Sequence, residues 1–388
     1  MKKKSNVLIS LVMVAAMIVS VFAGTAVQDV AAQAATQATT LVPAKVTDYF
    51  APPASAKVTA TLAGKNGNAA ATAETTAVVV PVKMDYEGVL DLGVAASATT
   101  SSISATLYQD TNCTQAVGSS FSLSTTNKFV DAKSYTVGTP GTFYLKINWA
   151  SVVPEQSVNV AVAAFGYAGS EVTLSSTPQL VFTGNGDVTK YHKLEVKSNG
   201  LVTLMGYSIN NETFASLTAN LCDKNKNPLT TIYLSSSNKY GDYFTLKKGT
   251  YYVAVRTSSP YQLQCNSVKG KDQSGASKKK AKVIKKGKTV KGMVTLQDKT
   301  SKVDWYSFTL PKSSKARINL KAYCTGSSRL KIEFIPANKN YHVYNNTASF
   351  STGSYPIKTK KIRKGKYYIK ITKLSKDYSG SYSLKFVK

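Results

Sequence analysis

The stretch "GTYYVAVR", at residues 249–256, occurs three times in this chain with small changes. The other copies are "GTFYLKIN" at 141–148 and "GKYYIKIT" at 365–372. After its glycine, each copy alternates aromatic or β-branched residues with polar ones, which is the pattern of a half-buried β-strand. We therefore predict that one strand of one fold recurs about every hundred residues.

The similarity extends well beyond that strand. "VDWYSFTLP" (303–311) precedes the last copy and "KYHKLEVK" (190–197) precedes the middle one, each by about sixty residues. Every repeat holds roughly seven short strand patterns separated by Gly, Asn, Ser and Lys turns, and no helical periodicity follows the N-terminal segment. This combination predicts an all-β chain of three tandem antiparallel β-sandwiches.

Composition sets the predicted boundaries. Segment 269–281 is rich in Gly, Ser and charge, so we expect a flexible joint there. The full division is a signal peptide at 1–34, an Ala/Thr-rich spacer with a possible first strand at 35–77, repeat 1 at 78–168, repeat 2 at 169–268, the linker at 269–281 and a basic repeat 3 at 282–388.

The N-terminal segment has the features of an export signal. Lys2–Lys4 are followed by the apolar run Val7–Val21 and then by small residues. The run is short for a membrane span, and a positive segment before it is typical of a secretory signal peptide. We expect a secreted protein, extracellular or associated with the cell wall, with no transmembrane segment in the mature chain.

Positive charge is concentrated in the last third of the chain. The formal net charge is +29, and residues 277–388 hold 28 Lys and Arg against four Asp and Glu. Asymmetry of this kind indicates a polyanionic partner. We expect an anionic cell-wall polymer such as a teichoic acid, or a polysaccharide; nucleic acid is a less favoured partner.

Two sets of candidate binding residues follow from this charge. Lysine is a point charge on a flexible stem, which suits diffuse attraction to phosphates. The candidate polyanion-binding residues cluster around the last copy of the repeated strand: Lys358, Lys360, Lys361, Arg363, Lys364, Lys366 and Lys370. Three tyrosines nearby are candidates for stacking on sugar rings: Tyr341, Tyr344 and Tyr355.

The last repeat closely resembles the bacterial pre-peptidase C-terminal domain family. The matching motifs are the D-x-Y-x-F strand at 304–308, the G-x-Y-Y strand at 365–368 and the G-x-Y-x-L strand at 380–384. The resemblance is moderate in the second repeat and weak in the first. It implies a jelly-roll-like sandwich with an accessory role, such as binding matrix or wall polymers, and says little about activity.

We expect no cofactor. Some members of that family bind calcium through clustered acids, and calcium is therefore the one cofactor to consider. Only Asp298 and Asp304 stand near the matching region, however, and Lys299 and Lys302 lie between them. Calcium needs 6–8 oxygen ligands. The four cysteines have no metal-binding spacing, and a bridge between Cys222 and Cys265 stays open.

The chain has no motif for catalysis. It lacks a G-x-S-x-G elbow, an H-E-x-x-H helix and a P-loop, and its two histidines are far apart in sequence. We therefore predict a non-catalytic surface or matrix-binding protein whose basic last repeat attaches to an anionic wall polymer. The alternatives are an accessory carbohydrate- or protein-binding module of an extracellular degradative system, and an extracellular nucleic-acid binder.

Overall fold

The structure is a computed structural model that describes residues 39–49, 51–63, 77–96, 103–123, 130–149, 157–210, 213–234, 241–325, 329–343 and 347–387. The predicted signal peptide and Tyr344 lie outside the described residues. Within them the chain is almost entirely β-strand, and its helical element is one 3-10 turn, Lys278–Lys280. No helix among the described residues combines the length and the hydropathy that a membrane span requires.

The described strands divide into three successive groups of nine. The first sandwich contains β1 (Ala44–Lys45), β2 (Ala56–Ala63), β3 (Ala77–Met84), β4 (Gly88–Ala96), β5 (Ile103–Tyr108), β6 (Phe121–Leu123), β7 (Val130–Val137), β8 (Gly141–Trp149) and β9 (Ser157–Ala168). The second contains β10 (Gln179–Val181), β11 (Lys190–Val196), β12 (Gly200–Asn210), β13 (Thr213–Ala215), β14 (Leu217–Cys222), β15 (Pro228–Leu234), β16 (Asp242–Leu246), β17 (Gly249–Val255) and β18 (Tyr261–Lys269). The third contains β19 (Lys282–Val283), β20 (Thr289–Val294), β21 (Val303–Leu310), β22 (Ser314–Cys324), β23 (Leu330–Pro336), β24 (Thr347–Phe350), β25 (Gly353–Ile362), β26 (Gly365–Lys373) and β27 (Gly380–Phe386).

Each group forms two sheets. The first sandwich pairs β1-β9-β4-β7, with β2 also against β9, and β3-β8-β5-β6. In the second sandwich, one sheet has the order β10-β18-β12-β13, with β16 also paired to β12, and the other has the order β11-β17-β14-β15. In the third, the two sheets have the orders β20-β27-β22-β25 and β19-β21-β26-β23-β24. All of these pairings are antiparallel except the two-residue contacts β1–β9 and β19–β21. The all-β sandwich fold predicted from the sequence is confirmed.

The repeated sequence stretch is the strand β8, β17 or β26, which lies inside one sheet of each sandwich. Its alternate residues point into the core because successive side chains of a strand face opposite sides. The inward residues are buried in all three copies: Phe143, Leu145 and Ile147; Tyr251, Val253 and Val255; Tyr367, Ile369 and Ile371. The same strand therefore anchors three equivalent cores.

The other sheet of each sandwich has a repeated register as well. In the first sandwich β4 pairs with both β7 and β9. The equivalent strand β12 of the second pairs with β16 and β18, and β22 of the third pairs with β25 and β27. The opening outward-facing pairs of these strands are equivalent: Val89–Thr136, Leu201–Thr245 and Lys315–Lys361. This equivalence allows the outer face of one sandwich to be compared directly with that of the next.

The second sandwich covers the outer face of β4 and β9. Val89 and Tyr167 on that face are each 2% exposed. Lys190 of the second sandwich forms an ion pair with Glu87 at 2.8 Å. Burial of this apolar area stabilises the junction. The shared apolar cluster comprises Val46, Tyr49, Val89, Ala95, Ala132, Ala163, Phe165, Tyr167, Leu180, Phe182 and Ile209.

The third sandwich docks on the second through the equivalent face. Thr245 on β16 is fully buried, and its backbone N–H donates to Ser379 Oγ at 3.0 Å. The rings of Tyr243 and Tyr323 lie 5.1 Å apart at the same junction. Leu296, which follows β20, packs in the core of the second sandwich. Thr136 and Thr245 are equivalent positions, and both lie at a junction with the following sandwich.

Segment 269–281, expected to be a flexible joint, packs against the third sandwich. Gln273 N–H donates to the carbonyl of Lys291 at 2.9 Å, and Gly275 exchanges backbone hydrogen bonds with Trp305. Ser274 Oγ donates to Asp304 at 3.0 Å. These bonds satisfy the polar backbone of a segment that has few apolar side chains.

Candidate polyanion-binding face

The outer side of the sheet β20-β27-β22-β25 of the third sandwich is named here the terminal face. In the first two sandwiches the equivalent face meets the next sandwich. In the third, only its end near Tyr323 and Ser381 meets a neighbour, the second sandwich. The remainder of the face is open to solvent.

The four strands of the terminal face carry many cations and no carboxylate. All eight cations are exposed, and none of the four strands contains Asp or Glu. They are Lys291 on β20, Lys315, Arg317 and Lys321 on β22, Lys358, Lys360 and Lys361 on β25, and Lys385 on β27. Like charges on neighbouring strands repel, so this arrangement is unfavourable unless an anion binds or solvent screens it.

Equivalent positions on this face carry uncharged residues in the first sandwich and lysines in the third. In the first sandwich Val89 is buried and the exposed Thr136 lies beside Gly184 of the second sandwich, whereas Lys315 and Lys361 take the equivalent positions in the third. A small apolar contact surface has thus become a charged one. Repeat arrays commonly end in a unit with a polar outer face, which keeps the array soluble. Solubility alone does not require the absence of every acid from the face.

The lysine cluster predicted from the sequence is divided between the two sheets of the third sandwich. Lys358, Lys360 and Lys361 lie on β25, at the edge of the terminal face. Lys366 and Lys370 lie on β26, in the opposite sheet. Arg363 and Lys364, both exposed, lie in the turn that connects these strands.

The opposite sheet is less uniformly positive. Lys370 Nζ lies 3.2 Å from Glu333, and Lys331 Nζ lies 3.0 Å from the same carboxylate. Lys366 Nζ lies over the ring of Tyr368, 5.3 Å from its centroid. Of the two described sheets of the third sandwich, only the one that forms the terminal face has cations and no Asp or Glu on its strands.

The described tyrosine candidates face the core rather than the solvent. Tyr341 and Tyr355 are both half-buried and pack against the apolar core of the third sandwich. The hydroxyl of Tyr355 donates to the carbonyl of Thr352 at 3.3 Å, and the guanidinium of Arg363 lies 5.4 Å from the ring of Tyr341. Neither residue is arranged as an open platform for a sugar ring.

Lys302 lies between the acids considered for calcium. Its Nζ is 3.6 Å from Asp298, 3.5 Å from Asp304 and 3.3 Å from Asp272. Burial raises the pKa of Asp304 to about 6, although Lys302 and the hydroxyl of Tyr382 favour its ionised form. Among the described residues, no three His, Cys, Asp or Glu side chains are grouped to hold a metal ion.

The remaining polar candidates lie in the cores. His192 is fully buried and bonded to Tyr261. Cys222 and Cys265 are buried free thiols on strands of opposite sheets. Burial raises the pKa of Cys265 to about 12, which makes it a poor nucleophile at neutral pH.

Sequence analysis did not single out Lys315, Arg317, Lys321 or Lys385 individually. A signal was present, because "KARINLK" at 315–321 alternates polar and apolar residues with period two. Its outward set is Lys, Arg, Asn, Lys. What the sequence did not show is that β22 and β25 lie side by side, with β27 on the other side of β22.

No family model matches the chain, and no curated protein matches it, so the resemblance to the pre-peptidase C-terminal family stays an expectation. Two of the solved structures that are similar to the chain show only a weak likeness. The insecticidal delta-endotoxin Cry8Ea1 from Bacillus thuringiensis has a TM-score of 0.18 and 10% identity, covering 90% of this chain and 61% of that one. Vicilin from Corylus avellana (hazelnut) has a TM-score of 0.13 and 8% identity, covering 55% and 80%.

Proposed function

We propose that this is a secreted, non-catalytic binding protein whose third sandwich attaches to an anionic polymer of the cell surface or matrix. The observation that carries the proposal is the terminal face, with eight exposed cations and no carboxylate on its four strands. Neutralising phosphates with lysine and arginine releases counterions, which favours binding to a polyanion.

The test is retention of the full chain, without residues 1–34, on purified cell-wall polymer at low and high salt. We expect retention at low ionic strength and steep loss as salt rises. The face variant is K315E/R317E/K361E. All three side chains are exposed, so the fold should tolerate the change. We expect this variant to lose most of its retention.

A matched control separates the face from net charge. The variant K282E/K299E/K366E changes the charge by the same amount at exposed positions outside the four strands. We expect it to be retained nearly as well as the unchanged chain. Equal loss in both variants would assign binding to overall charge, and failure of the unchanged chain to bind any polyanion would refute the proposed function.

A further inference from the structure

A single position at the centre of the terminal face is surrounded by cations. Asn319 on β22 lies between Arg317 and Lys321 of its own strand and directly opposite Lys385 on β27. Alternate residues of a strand are ~7 Å apart, and opposed residues of neighbouring strands are ~5 Å apart. Three positive charges therefore lie within one or two residue spacings of the Asn319 side chain.

Arg317 is the neighbour that contacts Asn319 directly, whereas the ammonium of Lys321 lies over the ring of Tyr323. Arg317 Nε donates to Asn319 Oδ1 at 3.2 Å, so the amide NH2 and the Nη groups of the arginine are directed away from that bond. Lys321 Nζ lies 5.3 Å from the ring centroid of Tyr323, which holds this lysine beside the junction with the second sandwich. Ser383 lies opposite Lys321 and adds a hydroxyl. An open groove passes through this position, with Thr289 and Ser354 on its borders.

This set of donors suits a phosphate group. Lysine and arginine are the usual phosphate-binding side chains, arginine as a fork and lysine as a point charge. Binding of single-stranded nucleic acid additionally uses aromatic rings on which bases stack. Tyr355 lines the groove but is half-buried and packs against the core, and Tyr323 contacts Tyr243. The exposed side of the Trp305–Tyr368 pair belongs to the other sheet.

We propose that Asn319, with Arg317, Lys321 and Lys385 around it, binds a phosphate group of a linear phosphodiester polymer without bases, a polyol phosphate. The inference rests on the proposed function and specifies its ligand class. Successive phosphates of a flexible chain would follow the groove and meet the other cations of the face. The polymer is recognised by its charges and phosphate oxygens, and not by stacking.

The test is titration of the full chain, without residues 1–34, with three polymers at one low salt concentration. Poly(glycerol phosphate) supplies phosphodiesters without bases, polygalacturonate supplies carboxylates, and oligothymidylate supplies phosphodiesters with bases. We expect the poly(glycerol phosphate) to bind most tightly. Equal or tighter binding of polygalacturonate would overturn the phosphate assignment, and tighter binding of oligothymidylate would overturn the choice of a polymer without bases.

Two variants locate the site. N319D places a carboxylate at its centre, and we expect affinity for poly(glycerol phosphate) to fall about tenfold or more, the size of a lost charge-assisted hydrogen bond. T309D makes the same charge change on an exposed residue of β21 in the other sheet, and we expect little effect. R317K keeps the charge but loses the fork, and should weaken binding several-fold.

The outcomes distinguish the two levels of the proposal. Equal losses in N319D and T309D would overturn the Asn319 site while leaving attachment to polyanions in place. No binding of any of the three polymers by the unchanged chain would overturn both. An R317K variant that binds as tightly as the unchanged chain would show that the guanidinium of Arg317 does not bind the phosphate, and would overturn the proposed site.

Discussion

His192 Nε2 lies 2.7 Å from the hydroxyl of Tyr261, and this pair replaces two tyrosines of the third sandwich. His192 pairs with Val253 on the repeated strand, as Tyr306 pairs with Ile369. Tyr306 and Tyr382 are joined by a hydroxyl–hydroxyl hydrogen bond of 3.1 Å. Equivalent core positions thus hold a polar pair of different chemistry, and only one of the two pairs contains a histidine.

Protonation of His192 should destabilise the second sandwich in acid. Val172 N–H donates to Nδ1, so the neutral ring carries its proton on Nε2 and donates to Tyr261. Burial, with a smaller effect from Lys190, lowers the pKa of His192 to about 4. The folded-state pKa is below the unfolded value, so the stabilisation is complete above pH ~6.5 and is lost as pH falls towards 4. The loss should reach about 2 kcal/mol at pH 5.

The variant H192Y tests this prediction, because it places at position 192 the tyrosine that the third sandwich has at the equivalent position, Tyr306. We expect its free energy of unfolding to fall less than that of the unchanged chain between pH 7.5 and pH 5. Urea unfolding at both pH values, followed by fluorescence, gives the comparison. Parallel decreases in the two proteins would show that His192 does not carry the acid sensitivity.

Asp304 should have the opposite pH dependence. Burial raises its pKa to about 6, so the folded state favours the protonated carboxyl. Stability contributed by this group therefore increases as pH falls from about 6 towards 4 and is absent above pH 6. We expect D304N to remove this increase, measured as the difference in unfolding free energy between pH 4.5 and pH 7. A difference as large in D304N as in the unchanged chain contradicts the assignment.

Gly184 should be intolerant of a side chain. Its φ is +68°, and a Cβ there would lie 2.6 Å from Thr136 Oγ1 and 2.9 Å from Val89 Cγ2. We expect G184A to destabilise the chain by about 1–3 kcal/mol through backbone strain and overpacking of the junction. G138A is the control, because a Cβ on Gly138 meets nothing within 4 Å. Similar melting temperatures for the two variants would argue against a tight junction.

Ser379 should be required at the junction of the second and third sandwiches. It is fully buried and accepts a hydrogen bond from Thr245 N–H. The variant S379A leaves that buried donor without its partner, which costs about 1–3 kcal/mol. S349A, on the exposed surface of β24, should change stability by less than about 0.5 kcal/mol. Denaturant unfolding of both variants provides the measurement.

Period-two patterning was sufficient to predict the cores. Val253 and Ile369 were assigned inward from alternation alone, and both are fully buried. Cys265 on β18 and Phe386 on β27 are both buried. These assignments depend only on a residue's place along its own strand.

The location of the charged site needed information that a single strand does not contain. Lys361 and Lys366 are five residues apart in sequence, yet β25 and β26 belong to opposite sheets. Lys385 comes close to Asn319 through pairing of distant strands. Long-range pairing decides which charges share a face, and one sequence does not specify that pairing.

Leu296 makes the core of the second sandwich depend on a residue of the third. This residue follows β20 of the third sandwich, yet it packs in the core of the second, beside the backbone of Thr245. The second core is therefore incomplete until residue 296 has been synthesised. A chain ended at residue 281 would leave an apolar gap in the second core, so the second sandwich needs a residue of the third to complete its packing.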